Sequence, residues 1–244
     1  MMKARIGTRS PYTGTKFIDL AVIDLRNTDN DAKYKSMLLS PHYRNERNKE
    51  SVHNYIISSI LNRNPSEIPR YEYDHVVKIL ETVKELFIEE GPLVETGPDI
   101  IIVGDLHGSL YDVRRMYNQF RVPLEHQKYV PAHVTTSFLF LGNYVDRGDE
   151  SLEVLLLLFS MKLAASYYKQ RVIMLRGNHE TREMNYAKGF RAELHAKFEK
   201  EQADDLFEKF NDIFDHMPLA CIIANRHLCM HGGISPKLTS LDSI

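Results

Sequence analysis

The sequence predicts an α/β fold built on a largely parallel sheet, and three observations carry that expectation. Short apolar runs recur and each stops at a polar loop: 100–108 (IIIVGDLHG), 138–148 (FLFLGNYVDRG), 172–180 (VIMLRGNHE) and 228–233 (LCMHGG). Between the first three runs lie segments of helical periodicity. Strand, helix, strand, helix, strand at this spacing implies right-handed βαβ crossovers, which require parallel neighbours. In open α/β sheets the ligand-binding crevice lies outside the carboxyl ends of the strands. The four loops would therefore bring Asp105, His107, Asn143, Asp146, Arg147, Asn178, His179 and His231 to one rim.

In chain order, residues 1–48 have little periodicity and are rich in Arg, Asn, Lys, Asp and Ser, and are expected to be an extended or disordered segment. A single domain is expected over 49–244. Two helical stripes open it. Val52, Ile56, Ile60 and Leu61 share one face; Val76, Val77, Leu80, Val83, Leu86 and Phe87 form a longer one, starting near Asp74 and stopped by Gly91–Pro92. Residues 99–103 read as the first strand and 109–120 as a helix with Val113, Met116, Tyr117 and Phe120 inward. Residues 121–136 hold two prolines and read as a loop. A strand at 137–141 follows, then a helix at 150–164 so apolar that it should be almost wholly buried. A third strand is expected at 171–175, two or three helices between Thr181 and Asp215, and a hairpin of 219–224 with 227–231, turning at Asn225–Arg226.

Composition narrows the function. Charged residues make up 26% of the 244-residue chain and hydrophobic ones 43%, ordinary values for a folded globular protein. A net charge of −2 gives no broad basic surface for nucleic acid, and no apolar run reaches the length of a membrane span. The two cysteines, Cys221 and Cys229, are too few for a disulfide framework and are expected to be buried reduced thiols. With no apolar leader at the N-terminus, the expected location is cytoplasmic, nuclear or both.

The chemistry lies in the loops. Asp105 and His107, separated by one residue in a turn bounded by glycines, can face one cation; Asn178 and His231 come from later strand ends. Carboxylate, amide oxygen and imidazole together suit Mn, Fe or Zn better than Ca or Mg. Arg147 and Arg176 can hold phosphate oxygens in a bidentate way. His179 can protonate a leaving alkoxide, with Asp146 holding its charged form. Singly, each signal is bland: Asp-x-His is a turn, Asn178 a turn residue, the arginines surface salt bridges. Four loops with the same chemistry, each directly after an apolar run, make the site.

At these residues the chain resembles the phosphoprotein phosphatase family of metal-dependent serine/threonine phosphatases, nearest its type 1 group. The matching pieces are GDLHG at 104–108, YVDRG at 144–148, RGNHE at 176–180 and HGGISP at 231–236. The resemblance implies a calcineurin-like metallophosphoesterase fold, a central β-sandwich flanked by helices. It implies phosphoserine and phosphothreonine in proteins as substrates, regulatory subunits as further partners, and two divalent metal ions (Mn, Fe or Zn). Asp105 and His107 would serve one ion and Asn178 and His231 the other, with Arg147 and Arg176 on phosphate and His179 as the acid backed by Asp146. Two departures stand out. The family's second motif normally begins Gly-Asp, with the aspartate bridging both metals; here Asn143 occupies that position among the expected metal residues. The chain also ends at Ile244, before the part of the family domain that supplies another histidine ligand, another phosphate-binding arginine and much of the second sheet. The expected function is phosphoester hydrolysis on phosphoproteins by metal-activated water. The alternative is an impaired relative that binds phosphoproteins or phosphatase regulatory subunits. A hydrolase of nucleotides or other small phosphoesters fits the YVDRG and RGNHE forms less well.

Overall fold

The computed structural model describes residues 56–57, 59–61, 71–120, 122–124, 128–130, 136–165 and 171–244. The expected N-terminal segment, 1–48, lies outside them, as does Val52 of the first stripe. Helical backbone is present at 56–57 and 59–61, where Ile56, Ile57 and Ile60 are buried.

In chain order the elements are α1 (Tyr73–Glu90), β1 (Leu93–Thr96), β2 (Ile100–Val103), α2 (Leu110–Phe120), β3 (Val122–Leu124), β4 (Lys128–Val130), β5 (Ser137–Phe140), α3 (Ser151–Ala165) and β6 (Val172–Met174). Three helices follow, α4 (Arg182–Ala187), α5 (Phe190–Lys197) and α6 (Lys200–His216), then β7 (Ala220–Ile223), β8 (His227–Met230) and a 3-10 turn at Leu241–Ser243. Every helix and strand expected from the sequence within the described residues is present, displaced at its ends by one or two residues, as such boundaries commonly are.

Two three-stranded sheets, ordered β2-β5-β6 and β1-β7-β8, replace the single parallel sheet that crossover spacing alone suggested, and they agree with the β-sandwich that the resemblance implied. The first is wholly parallel, as the crossover spacing required. The second joins β1 to β7 in parallel and β7 to β8 as the antiparallel hairpin. The strand β1 was not expected: it is short, follows the helix-stopping Gly91–Pro92 directly, and exists because Leu93–Thr96 pairs with Ala220–Ile223, a partner distant in sequence. The reading of 121–136 as a loop also needs correction, since it contains the antiparallel pair β3 and β4, with Pro123 opposite Tyr129. Three-residue strands are too short for alternation to reveal.

Strand alternation sorts the side chains into two cores. Phe138, Phe140, Val172 and Met174 face the helices; Leu139, Ile173 and Leu175 meet Val94, Cys221 and Ile223 of the other sheet. Both cysteines are free, and burial pushes the Cys221 thiol up to about 11. Behind the first sheet all fifteen residues of α3 are buried, as its composition demanded. Phe159 on α3 meets Phe87 of α1 at 5.9 Å and Phe210 of α6 at 6.3 Å, and Phe190 of α5 meets Phe210 edge-on at 5.1 Å.

This helix carries two charges, each matched inside. Lys162 donates to Glu90 Oε1 at 2.6 Å and to Val172 O at 3.0 Å. Glu153, fully buried, accepts from Lys197 Nζ at 2.6 Å, and burial raises its pKa while Lys197 opposes the rise. Replacing Lys197 with Met should leave that carboxylate buried without its partner and cost roughly 3–5 kcal/mol. A carboxyl whose folded pKa lies above its unfolded value is most favourable below the unfolded pKa, and that stability is lost as pH rises through the folded one. The deficit of Lys197→Met relative to the parent chain, measured by denaturant unfolding, should therefore shrink toward about pH 4.5 and be largest at alkaline pH.

Candidate metal and phosphate site

The loops after β2, β5, β6 and β8 meet at one end of the two sheets. His231, following β8, donates from Nδ1 to Leu141 O at 3.1 Å, so the hairpin's end sits against the end of β5. The loop after β2 is stitched to the loop after β5 by backbone bonds: Leu106 and His107 donate to Asn143 O at 3.0 and 2.9 Å, and Gly108 donates to Tyr144 O at 2.8 Å. His107, Asn143, Asp146 and Arg147 all have positive φ (44°, 59°, 70° and 70°). Non-glycine residues hold that conformation only where surrounding contacts impose it, and such positions cluster at functional sites.

Asp105 and His107 form the first pair. His107 donates from Nδ1 to Val145 O at 2.9 Å, which leaves the lone pair on Nε2. That atom lies 3.3 Å from Asp105 Oδ2 yet has no hydrogen-bond partner, although it is buried. The charge-pair distance and the missing hydrogen bond agree once the proton is on Nδ1: two electron-rich atoms face each other. Burial, chiefly, lowers the His107 pKa, which keeps the ring neutral and able to ligate.

Asn178 and His231 form the second pair. His231 Nε2 lies 2.9 Å from Asn178 Oδ1. Nδ1 donates to Leu141 O, and the contact at Nε2 is a hydrogen bond that ties the imidazole to the Asn178 amide oxygen. Both pairs thus have the donor chemistry of a cation site. Among the described residues, no three His, Cys, Asp or Glu side chains gather on one point.

Between the pairs lies Asn143, with its amide nitrogen 3.1 Å from Asp105 Oδ2 and its Oδ1 accepting from His179 N at 3.0 Å. As placed, it offers the Asp105 side an N–H and does not fit as a ligand.

The third constellation is His179, Asp146 and Arg147. Asp146 Oδ2 accepts from His179 Nδ1 at 2.7 Å, both side chains buried, and Asp146 Oδ1 accepts from Phe190 N at 2.9 Å. This fixes the tautomer and turns Nε2 toward Arg147, whose Nη2 lies 3.4 Å away. The rings of His179 and His107 stand edge to face at 4.7 Å, so the Asp146–His179 pair adjoins the Asp105–His107 pair. Arg147 is exposed and available to an incoming anion. Arg176 is tied elsewhere: Nε donates to Glu180 O at 2.9 Å and Nη2 to Asp215 Oδ1 at 2.5 Å.

Sequence reasoning passed over Glu180. Its buried carboxylate accepts from Asn143 N (2.7 Å), Tyr144 N (2.8 Å), Gly177 N (2.9 Å) and Val145 N (3.4 Å). Burial pushes its pKa up to about 7 against the opposing pull of those four N–H groups. The available signal was a carboxylate adjoining loops whose amides have no strand partner and need an acceptor. Ser151 and Glu193 were missed too. Ser151 Oγ accepts from Asp146 N at 3.2 Å, and Glu193 accepts from the amides of Ser151 and Leu152 at the start of α3.

Residues 98–244 match the calcineurin-like phosphoesterase family, and the chain belongs to it. The chain is 37% identical over 161 residues to serine/threonine-protein phosphatase PP1-delta of Caenorhabditis elegans, spanning 66% of this chain and 48% of that protein. It is 35% identical over 193 residues to serine/threonine-protein phosphatase 2B catalytic subunit A2 of Saccharomyces cerevisiae, spanning 74% of this chain and 29% of that one. A solved serine/threonine phosphatase of Saccharomyces cerevisiae with similarity to human phosphatase PP5 superposes with a TM-score of 0.64 at 30% identity, covering 77% of this chain and 56% of that chain. The chain thus spans half or less of the curated relatives it matches. Membership of this family implies divalent metal cofactors.

The loops approach so closely that glycine is required in some places and not in others. A Cβ on Gly177 would lie 2.4 Å from Asn143 N and 2.6 Å from Glu180 Oε2, whereas one on Gly104 would meet nothing within 4 Å. Gly177→Ala should cost about 2 kcal/mol or more by forcing these loops apart, and Gly104→Ala should stay within about 0.5 kcal/mol of the parent. Chemical denaturation of the three proteins checks both.

Proposed function

We propose that this chain carries the cation-binding and proton-donating half of a serine/threonine protein phosphatase, acting on phosphoserine and phosphothreonine in proteins. The observation that carries this reading is the buried Asp146–His179 pair, with Nε2 turned to the exposed Arg147 beside the Asp105–His107 pair.

Asp105 with His107, and Asn178 with His231, would hold the divalent cations, with Mn, Fe or Zn favoured by the mix of imidazole and oxygen donors. When bound, such cations polarise phosphoryl oxygens and supply a hydroxide nucleophile near neutral pH. The residues of the chain do the rest. Arg147 receives the phosphate oxygens, which draw its guanidinium away from His179 Nε2. Protonated at Nε2, His179 donates to the departing serine or threonine oxygen, while Asp146 keeps Nδ1–H bound and stabilises the charged ring. Arg176, held by Asp215 and the Glu180 carbonyl, braces the turn that presents Asn178 and His179.

A second reading, a relative that binds phosphoproteins or regulatory subunits with little turnover, is favoured by one feature: the Asn143 amide in place of an anion at the centre. Phosphate release from a phosphoserine peptide, with Mn supplied, tests both. Under the first reading His179→Gln lowers kcat by about 10²–10⁴-fold with little change in KM. Release that is unaffected by His179→Gln would refute the proton-donor role. Tight phosphopeptide binding that depends on Arg147 but yields no phosphate would establish the second reading.

A further inference from the structure

Asn143 is a buried side chain with every polar group engaged, and its engagement decides what can sit between the two cation pairs. It is 4% exposed. Its N–H donates to Glu180 Oε2, its carbonyl accepts from Leu106 and His107, its Oδ1 accepts from His179 N, and its Nδ2 donates to Asp105 Oδ2. The amide orientation is settled by its surroundings. Inverting it would set oxygen against the Asp105 carboxylate and an N–H against the His179 N–H, two repulsive contacts in place of two bonds. The face turned to Asp105 is therefore a donor, and a donor cannot ligate a cation. Of Asp105, His107, Asn143, Asn178 and His231, only Asp105 carries a negative charge. Two dications a few ångströms apart repel strongly unless an anion lies between them, and the residue at the junction is neutral with its oxygen committed to backbone.

We propose that Asn143 keeps the two pairs uncoupled: the chain takes its one tightly held divalent cation at Asp105–His107, and the Asn178–His231 pair, a weaker site, does not join it in a bridged binuclear centre. This rests on the reading that these residues hold metal. The amide does structural work that a bridging carboxylate would leave to the metal, holding Asp105 and the 177–180 turn in place by hydrogen bonds alone.

The test uses Mn(II) with the full chain, read by calorimetry and by electron paramagnetic resonance. The unmodified chain should bind one equivalent in its tight step and show the spectrum of isolated Mn(II), without exchange coupling. Asn143→Asp should bind two equivalents, tighten the first by about tenfold or more and produce an exchange-coupled signal. Its Tm should also rise more steeply with Mn(II) than the parent's, because without metal two carboxylates face each other. An exchange-coupled pair in the unmodified chain overturns the proposal, as does an Asn143→Asp protein that binds Mn(II) identically to the parent. Should Asn143→Asp not fold, the spectrum and stoichiometry of the unmodified chain decide alone. Asp105→Ala separates this from the underlying reading: if Mn(II) binding survives it unchanged, the metal assignment itself fails, whatever Asn143 does.

Discussion

The site depends on one buried carboxylate. Three strands end together, and the amides just beyond them have no ladder partner; left unpaired and buried, each would cost about 1–3 kcal/mol. Glu180 accepts four of them, from the loop after β5 and the turn after β6, and so turns two separate chain ends into one rigid floor. Burying a carboxylate is unfavourable in itself, and the rise of its pKa to about 7 records that cost against the stabilisation from the four donors. The floor is also crowded. A Cβ on Gly142 would lie 2.5 Å from Gly177 N, so the two loops reach Glu180 only because both positions lack side chains.

The helical layer fixes the Asp146–His179 pair from behind. Helix α3 is buried on all sides, which leaves it no freedom to shift, and its first residues are held by Glu193, itself paired with Lys197 at 2.7 Å. Ser151 on the same helix accepts the Asp146 amide, and the first amide of α5 donates to the Asp146 carboxylate. The imidazole of His179 is thus oriented by the starts of two helices packed against the core, a more rigid support than the loop that carries it. The positive φ values at Asp146 and Arg147 are the conformational cost of this arrangement, offset by the bonds that impose them.

Charge at the junction sets this chain apart from the pattern its motifs resemble. A neutral Asn143 satisfies the same backbone amide of His179 that a carboxylate oxygen could, and it ties down Asp105 without a cation. The loops can therefore be organised by hydrogen bonds even where the electrostatics for gathering two dications are weak.

Much of this was legible in the sequence. Apolar runs that halt at Gly104, Gly142 and Arg176 announced strand ends, and the strongly apolar stretch 151–165, with Glu153 and Lys162 its only charges, announced a helix with no solvent face, because burial on all sides removes the periodicity that exposure imposes. The identities of Asp105, His107, Asn178, His179 and His231 were legible for the same reason: their chemistry travels with local loop motifs. Periodicity could not show β1, whose existence depends on pairing with β7, or which strands share a sheet, since pairing is a property of distant segments; the two-sheet sandwich came only through the loop motifs. Glu180 looked like any charged loop residue until folding surrounded it with four amides. The orientation of the Asn143 amide was equally out of reach. Its residue type is written in the chain, but which atom faces Asp105 is decided by hydrogen-bond partners that three separate loops bring together.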